Sequence, residues 1–117
     1  MRSIAALLLA AAALAAGGTT AAAAPVKPVT LTIVVGTHGV ASGPKKFTVK
    51  RHARVVIRVK SPIGEAVHLH GYDLEKPVRS KTAWVVIPFT AKVAGVFEVE
   101  LHLTETRGLR IGLVTVK

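Results

Sequence analysis

The chain has 117 residues and a formal net charge of +10, a length that supports one hydrophobic core and leaves no room for a second domain. It contains no cysteine, which excludes disulfides, thiolate metal ligands and a cysteine nucleophile. Aromatic residues make up only 4% of the chain, too few for extensive base stacking, so we expect no nucleic-acid partner.

The N-terminus has the organisation of a secretory signal peptide. Arg2 supplies a charged start, an apolar run extends from Ile4 to Ala16, and small residues continue up to Pro25. This pattern predicts cleavage within residues 21–24, so that residues 1–24 are the signal peptide and residues 25–117 form a periplasmic or secreted domain. The apolar run is short and rich in alanine, and we therefore expect no membrane span in the mature protein.

After Lys27, apolar residues recur at every second position, which is the period of a half-buried β-strand. The inward positions are Leu31, Ile33 and Val35; Phe47 and Val49; Val55, Ile57 and Val59; Val85, Ile87 and Phe89; Phe97, Val99 and Leu101; and Val114 and Val116. Glycine and proline separate these segments, and GTHGVASGP and YDLEKPVRSKT are the long connections. No sustained helical period follows the leader, so the pattern predicts an all-β antiparallel sandwich or barrel.

Basic residues are concentrated between positions 45 and 60. They are Lys45, Lys46, Lys50, Arg51, Arg54, Arg58 and Lys60. Such a face could bind an acidic partner protein or an anionic cell-envelope surface by screened Coulomb attraction. We favour the plainer interpretation, in which this is a solvated charged face that keeps the protein soluble.

Two short motifs carry candidate metal ligands. In EAVHLHGYD, His68 and His70 are two positions apart, so on a strand they leave one face about 6.5 to 7 Å apart. In ELH, Glu100 and His102 repeat the spacing. Three imidazoles and a carboxylate suit Cu(II) or Zn(II), with copper binding more tightly. The structural alternatives are histidines that bond to backbone or cover a strand end, and a Glu100 that pairs with a basic neighbour.

Three stretches resemble the cupredoxin family. PKKFTVKRHARVVIRVK is similar to its Pro-led strand, turn and alternating strand; VHLHGYD falls where that fold has its first histidine ligand; GVFEVELHLTETRGLRIGLVTVK is similar to its closing hairpin. The resemblance is nearest to small exported bacterial proteins related to the domain on EfeO-type iron-uptake proteins. It implies a cupredoxin-like antiparallel Greek-key β-sandwich of about seven strands.

The chain departs from the blue-copper pattern of that family. Leu101 takes the position of the copper-binding cysteine, and the only methionine is Met1. A trigonal site of two histidines and one cysteine therefore cannot form, and blue-copper electron transfer is not expected.

The resemblance places the ends of the two motif-bearing strands side by side, which implies one site built from His68, His70, Glu100 and His102. If Leu101 points inward, its neighbours Glu100 and His102 should point outward. The four side chains then converge only if the strand twists or bulges, or if the site lies on the sheet surface.

The other histidines and nearby groups have lesser expected roles. Asp73 or the backbone at Gly71 could orient an imidazole without binding the ion. His38 is at most an outer participant. His52 stands in a turn where the family often has glycine, and we expect it to be a surface residue.

Two functions remain open. The first is an exported protein that binds copper, or zinc in second place, for copper handling or delivery. The second is a metal-free cupredoxin-like module that binds an acidic partner or the envelope surface through its basic face. Catalysis is not predicted, because Ser42, Ser61 and Ser80 lie in turn-like contexts without a nucleophile motif.

Overall fold

The computed structural model describes residues 26–117 together with residues 12–13 and 17–18. The predicted signal peptide falls outside the described residues except for those two short pairs. The strands are β1 Val29–Val34, β2 Lys45–Val49, β3 Arg54–Lys60, β4 Ala66–Leu69, β5 Leu74–Pro77, β6 Val85–Thr90, β7 Gly95–His102 and β8 Gly108–Val116. Within the described part of the chain, no helix is long and apolar enough to cross a membrane.

The strands form two sheets. One has the order β1-β3-β6 and the other the order β2-β8-β7-β4-β5. The predicted all-β class is confirmed, although β1 runs parallel to β3 and β2 runs parallel to β8. The described residues form eight strands, where about seven were expected. Alternation of apolar residues indicates which face is buried, but it does not specify the direction of the neighbouring strand.

The core lies between the two sheets and is aliphatic. Val55, Ile57 and Val59 of β3 are buried, while the residues between them face away from the core. A Cβ on Gly112 of β8 would come within 2.8 Å of Ile33 Cδ1 of β1, so the sheets are in direct contact. The alternating positions predicted from the sequence therefore supply most of the core, and Val67, Leu69, Ala91 and Ile111 add to it.

One predicted connection contains a strand. In YDLEKPVRSKT, residues 74–77 form β5, which pairs antiparallel with β4 at the edge of the five-stranded sheet. Pro77 is tolerated because an edge strand does not need every backbone donor. The turn between the strands uses left-handed residues, with φ of 82° at Gly71 and 54° at Asp73. The Phe97 ring fills the space where a Cβ on Gly71 would lie.

A bulge in β8 determines which β8 side chain lies beside the outward residues of β7. The register shifts between Val99 and Glu100, so that Gly112 pairs with Val99 while Arg110 pairs with Glu100. Ile111 is left between the two pairs and is fully buried, whereas Arg110 is exposed. The extra residue changes the alternation of β8 and brings Arg110 to the outer face beside the glutamates of β7.

The basic stretch is divided between the two sheets. Lys45 and Lys46 are exposed on β2 of the five-stranded sheet. On β3 of the other sheet, the Arg58 guanidinium lies 4.3 Å from the centre of the Trp84 ring, and Lys60 Nζ lies 5.3 Å from it. The sequence cluster is therefore not one continuous face.

Candidate metal centre

The histidines of both motifs lie on the outer face of the five-stranded sheet. His68 sits between Val67 and Leu69, which are both fully buried, so its side chain leaves β4 on the opposite face. His68 and Glu100 are direct cross-strand partners. Of the two arrangements left open by the sequence, the side chains adopt the one on the sheet surface, and Leu101 points inward as expected.

Glu100 is the central side chain of this face. Its Oε1 lies 2.9 Å from His102 Nε2, and its Oε2 lies 3.5 Å from His70 Nε2. The Glu100 side chain is 26% exposed, and it extends over Gly108, where any Cβ would overlap the carboxyl group. One carboxylate thus contacts imidazoles from β7 and from the turn after β4.

Three side chains present donor atoms that already converge. One ligand atom from each of His70, Glu98 and Glu100 lies within 4.8 Å of the other two. His70 Nε2 is shielded from solvent and, although Glu100 Oε2 lies 3.5 Å away, it makes no hydrogen bond with any residue that the structure describes. A buried nitrogen without a partner is unfavourable, and an ion between these donors would satisfy it.

Glu98 also pairs with Arg110 on β8. That guanidinium lies on the outer face because of the bulge, and it occupies one oxygen of the carboxylate. Glu98 therefore contacts the Arg110 guanidinium while one of its carboxylate oxygens lies within 4.8 Å of a His70 ring nitrogen.

His68 and His102 lie beside this converging group and are not members of it. The His68 ring centre is 4.4 Å from that of His70 and 5.5 Å from that of His102, but its Nε2 faces Asp73 Oδ1 at 3.9 Å. His102 reaches the group through Glu100. The four predicted side chains lie on the same face of the sheet. His68 differs from the prediction because its Nε2 faces Asp73 and not the converging donor atoms.

The remaining histidines are separate from this face. His52 is exposed in the turn between β2 and β3 with φ of 71°, a left-handed conformation that glycine adopts easily. His38 is exposed in the turn that the Gly36–Gly39 bridge closes. Across residues 26–117, no ion pair or ring contact joins either of them to His68, His70 or His102.

Sequence reasoning missed three charged residues of this face. Glu98 continues the two-residue spacing of Glu100 and His102, so the sequence alone could have placed it on the same face. Glu75, whose Oε1 lies 3.3 Å from His102 Nδ1, was assigned to a connection. Arg110 faces outward only because of the bulge, which the alternation of β8 does not reveal.

Six of these residues form what we call the acidic–histidine patch. Its members are His68, His70, Glu75, Glu98, Glu100 and His102. The patch holds three of the six acidic residues and three of the five histidines of a chain whose net charge is +10. With neutral histidines, the three glutamates, Asp73 beside His68 and Arg110 sum to a net charge of −3 at this face, which attracts a divalent cation.

Comparison with known proteins shows the fold alone. No protein-family model and no curated protein sequence matches the chain. Among solved structures, the chain is similar to one described as the "NMR solution structure of copper binding protein in the apo form", with a TM-score of 0.55 and 14% identity. The match covers 75% of this chain and 86% of the other. The likeness supports an all-β sandwich consistent with the cupredoxin-like fold.

Proposed function

We propose that the protein binds one copper ion, with zinc as the second choice, on the acidic–histidine patch. The observation that carries the proposal is the convergence of His70, Glu98 and Glu100 around the unpartnered His70 Nε2. His102 supplies a further nitrogen through its contact with Glu100. His68 Nε2 faces Asp73, so the His68 side chain must rotate before it can bind the ion.

The donor types favour Cu(II). Imidazole nitrogens and carboxylate oxygens accept both Cu(II) and Zn(II), and copper is bound more tightly in the usual order of divalent ions. Cysteine is absent and the only methionine is Met1, so the patch lacks the soft sulfur ligands that favour Cu(I). The copper-binding protein of similar fold supports this preference for copper.

The position of the patch suits copper handling or delivery. The side chains are partly exposed, from 21% for His68 to 53% for Glu75, so a partner could take the ion without unfolding the sheet. We propose no catalytic activity. Export is part of the proposal and is supported by the charged start and apolar run of residues 1–16. An intact mass of the exported protein that retains residues 1–16 would contradict it.

Metal analysis and Cu(II) titration of the protein lacking residues 1–24 test the proposal. We expect one copper per chain at neutral pH. Glu100→Gln keeps the shape of the side chain but removes its charge, and it should weaken binding by about tenfold or more. His52→Asn is the matched control, because asparagine tolerates the left-handed turn and the change removes one imidazole far from the patch.

The control decides between the two functions. If the wild-type chain takes up no stoichiometric copper or zinc, the metal-free interaction module becomes the better account. The same conclusion follows if His52→Asn weakens binding as much as Glu100→Gln does. Equal binding by wild type and His52→Asn, with weak binding by Glu100→Gln, supports the copper site.

A further inference from the structure

Glu75 makes a contact that crosses a strand. It lies on β5, whereas its partner His102 lies on β7, and β4 runs between them. Strands two places apart in a sheet are separated by about 9.6 Å. In register, Ala66 of β4 pairs with Pro77 on one side and with His102 on the other. Glu75 itself pairs with His68 of β4, and the next outward residue of β4, Ala66, carries only a methyl group, so the Glu75 side chain can extend diagonally over β4 to the imidazole.

The contact leaves the His102 ring between two carboxylates. Nε2 lies 2.9 Å from Glu100 Oε1, and Nδ1 lies 3.3 Å from Glu75 Oε1. A neutral imidazole binds a metal ion through one nitrogen while the other nitrogen donates its proton to an acceptor, which fixes the ring. The two ring nitrogens of His102 therefore have different surroundings suited to these two roles.

We infer that Glu75 is a positioning residue that holds the proton of His102 on Nδ1 and thereby presents Nε2 to the ion. This inference rests on the proposed function. When the ion binds, it takes the position on Nε2, and any proton on that nitrogen passes to solvent. The Nδ1 proton then faces the Glu75 carboxylate, 3.3 Å away, which also increases the basicity of the bound imidazole.

The geometry separates Glu75 from the ligands. Glu75, like His102, lies outside the group whose donor atoms lie within 4.8 Å of one another, so its exposure and the nitrogen that it contacts decide its role. Its side chain is 53% exposed, compared with 26% for Glu100. Glu75 contacts His102 Nδ1, whereas Glu100 contacts Nε2. Glu75 therefore cannot reach an ion bound to Nε2 unless the ring moves.

The experiment uses Zn(II), which is diamagnetic, with the wild-type protein, Glu75→Gln and Glu75→Ala. Binding is measured by titration, and the ¹⁵N chemical shifts of His102 report which nitrogen holds the metal and which the proton. Glu75→Gln keeps an oxygen acceptor, whereas Glu75→Ala removes it. Glu105→Gln is the matched control, because Glu105 is an exposed glutamate of the β7–β8 turn.

We expect one zinc per chain in all four proteins, bound through His102 Nε2 with the proton on Nδ1 in the wild type. Affinity should fall by about 10- to 100-fold in Glu75→Ala, fall less in Glu75→Gln, and stay within about twofold of wild type in Glu105→Gln. In the zinc-free state, the ¹⁵N spectrum should show a larger share of the Nε2-protonated form of His102 in Glu75→Ala than in the wild type.

Three results would overturn the inference. Binding through Nδ1 in the wild type would reverse the assigned roles of the two nitrogens. An equal, small loss in Glu75→Ala and Glu105→Gln would show only a general charge effect. A complete loss of stoichiometric zinc binding in Glu75→Ala would make Glu75 a ligand. Failure of the wild type to bind zinc or copper would instead remove the proposed function, and the inference with it.

Discussion

Glu100 extends its carboxyl group over Gly108, in space that any Cβ at position 108 would fill. Gly108 has no left-handed backbone angle, so alanine fits the strand and the flexible Glu100 side chain moves instead. We predict that Gly108→Ala weakens copper binding by about tenfold, because the alanine methyl group displaces the Glu100 carboxylate and offers no ligand atom of its own. Isothermal titration with Cu(II) measures the change.

The control for this substitution is Thr106→Ala, an exposed position in the same β7–β8 connection. It should leave copper affinity unchanged. Circular dichroism and the thermal midpoint should be close to wild type for both variants. Wild-type copper affinity in a folded Gly108→Ala protein would show that the position of Glu100 does not matter for the ion.

The spectrum of the copper-bound protein follows from the available donors. Without cysteine, Cu(II) cannot show the intense blue band that a copper–thiolate bond gives. We predict weak visible absorption and electron paramagnetic resonance with nitrogen hyperfine splitting from imidazole. His70→Ala should simplify that splitting, and His52→Asn should not. Splitting that is insensitive to His70 would place the ion elsewhere.

Copper affinity should fall as the solution becomes more acidic. Protons and the ion compete for the imidazole nitrogens of His70 and His102, so binding is favoured at higher pH and lost at lower pH. We therefore expect weaker copper binding at about pH 5.5 than at about pH 7.5, because the ligand is the neutral imidazole. Titrations in two buffers of different ionisation enthalpy count the released protons. An affinity that is constant over this range would indicate binding by carboxylates alone.

The period-two alternation predicted most of the strands with buried faces, although Val67 and Leu69 of β4 were not among the positions assigned inward. Ile57 and Ile87, for example, were assigned inward and are fully buried. The alternation failed for β5, because Leu74–Pro77 is a short edge strand with two charged residues and a proline. Its pairing with β4 comes from the turn at Gly71 and Asp73, and sequence alternation does not report such tertiary pairing.

The sequence predicted those residues of the candidate site that lie two positions apart on one strand. Residues two apart on one strand share a face, so His68 with His70 and Glu100 with His102 could be paired from the sequence. The partner of an edge residue such as Glu75 depends on the strand order, which only the fold determines. Arg110 depends on a bulge that one extra residue introduces.

The turn before β5 should be sensitive to substitution at Gly71. Its φ of 82° is left-handed, and the Phe97 ring occupies the place of a Cβ. We predict that Gly71→Ala lowers the free energy of unfolding by about 2 to 4 kcal/mol, from backbone strain and displacement of the ring. Asp73→Asn is the control, since asparagine tolerates the same φ region. Chemical denaturation measures both, and equal midpoints for wild type and Gly71→Ala would contradict the packing argument.

The basic residues of β2 test the interaction-module alternative separately from the metal site. Lys45 and Lys46 are exposed on β2, at the opposite edge of the five-stranded sheet from β5. If this edge binds anionic surfaces, Lys45→Glu with Lys46→Glu should weaken binding to phosphatidylglycerol vesicles by about tenfold or more, and added salt should weaken wild-type binding. Copper affinity should stay within about twofold, since surface charges at a distance are screened.

Reversal of two other exposed cations, Arg79→Glu with Lys81→Glu, makes the same change in net charge in the β5–β6 connection. A larger loss of vesicle binding in the β2 variant than in this control would locate the binding surface at Lys45 and Lys46. Equal losses would mean that binding follows net charge alone, because a specific surface is sensitive to where the charge lies and a diffuse attraction is not. Vesicle binding that neither variant changes would remove the basis of the interaction-module alternative.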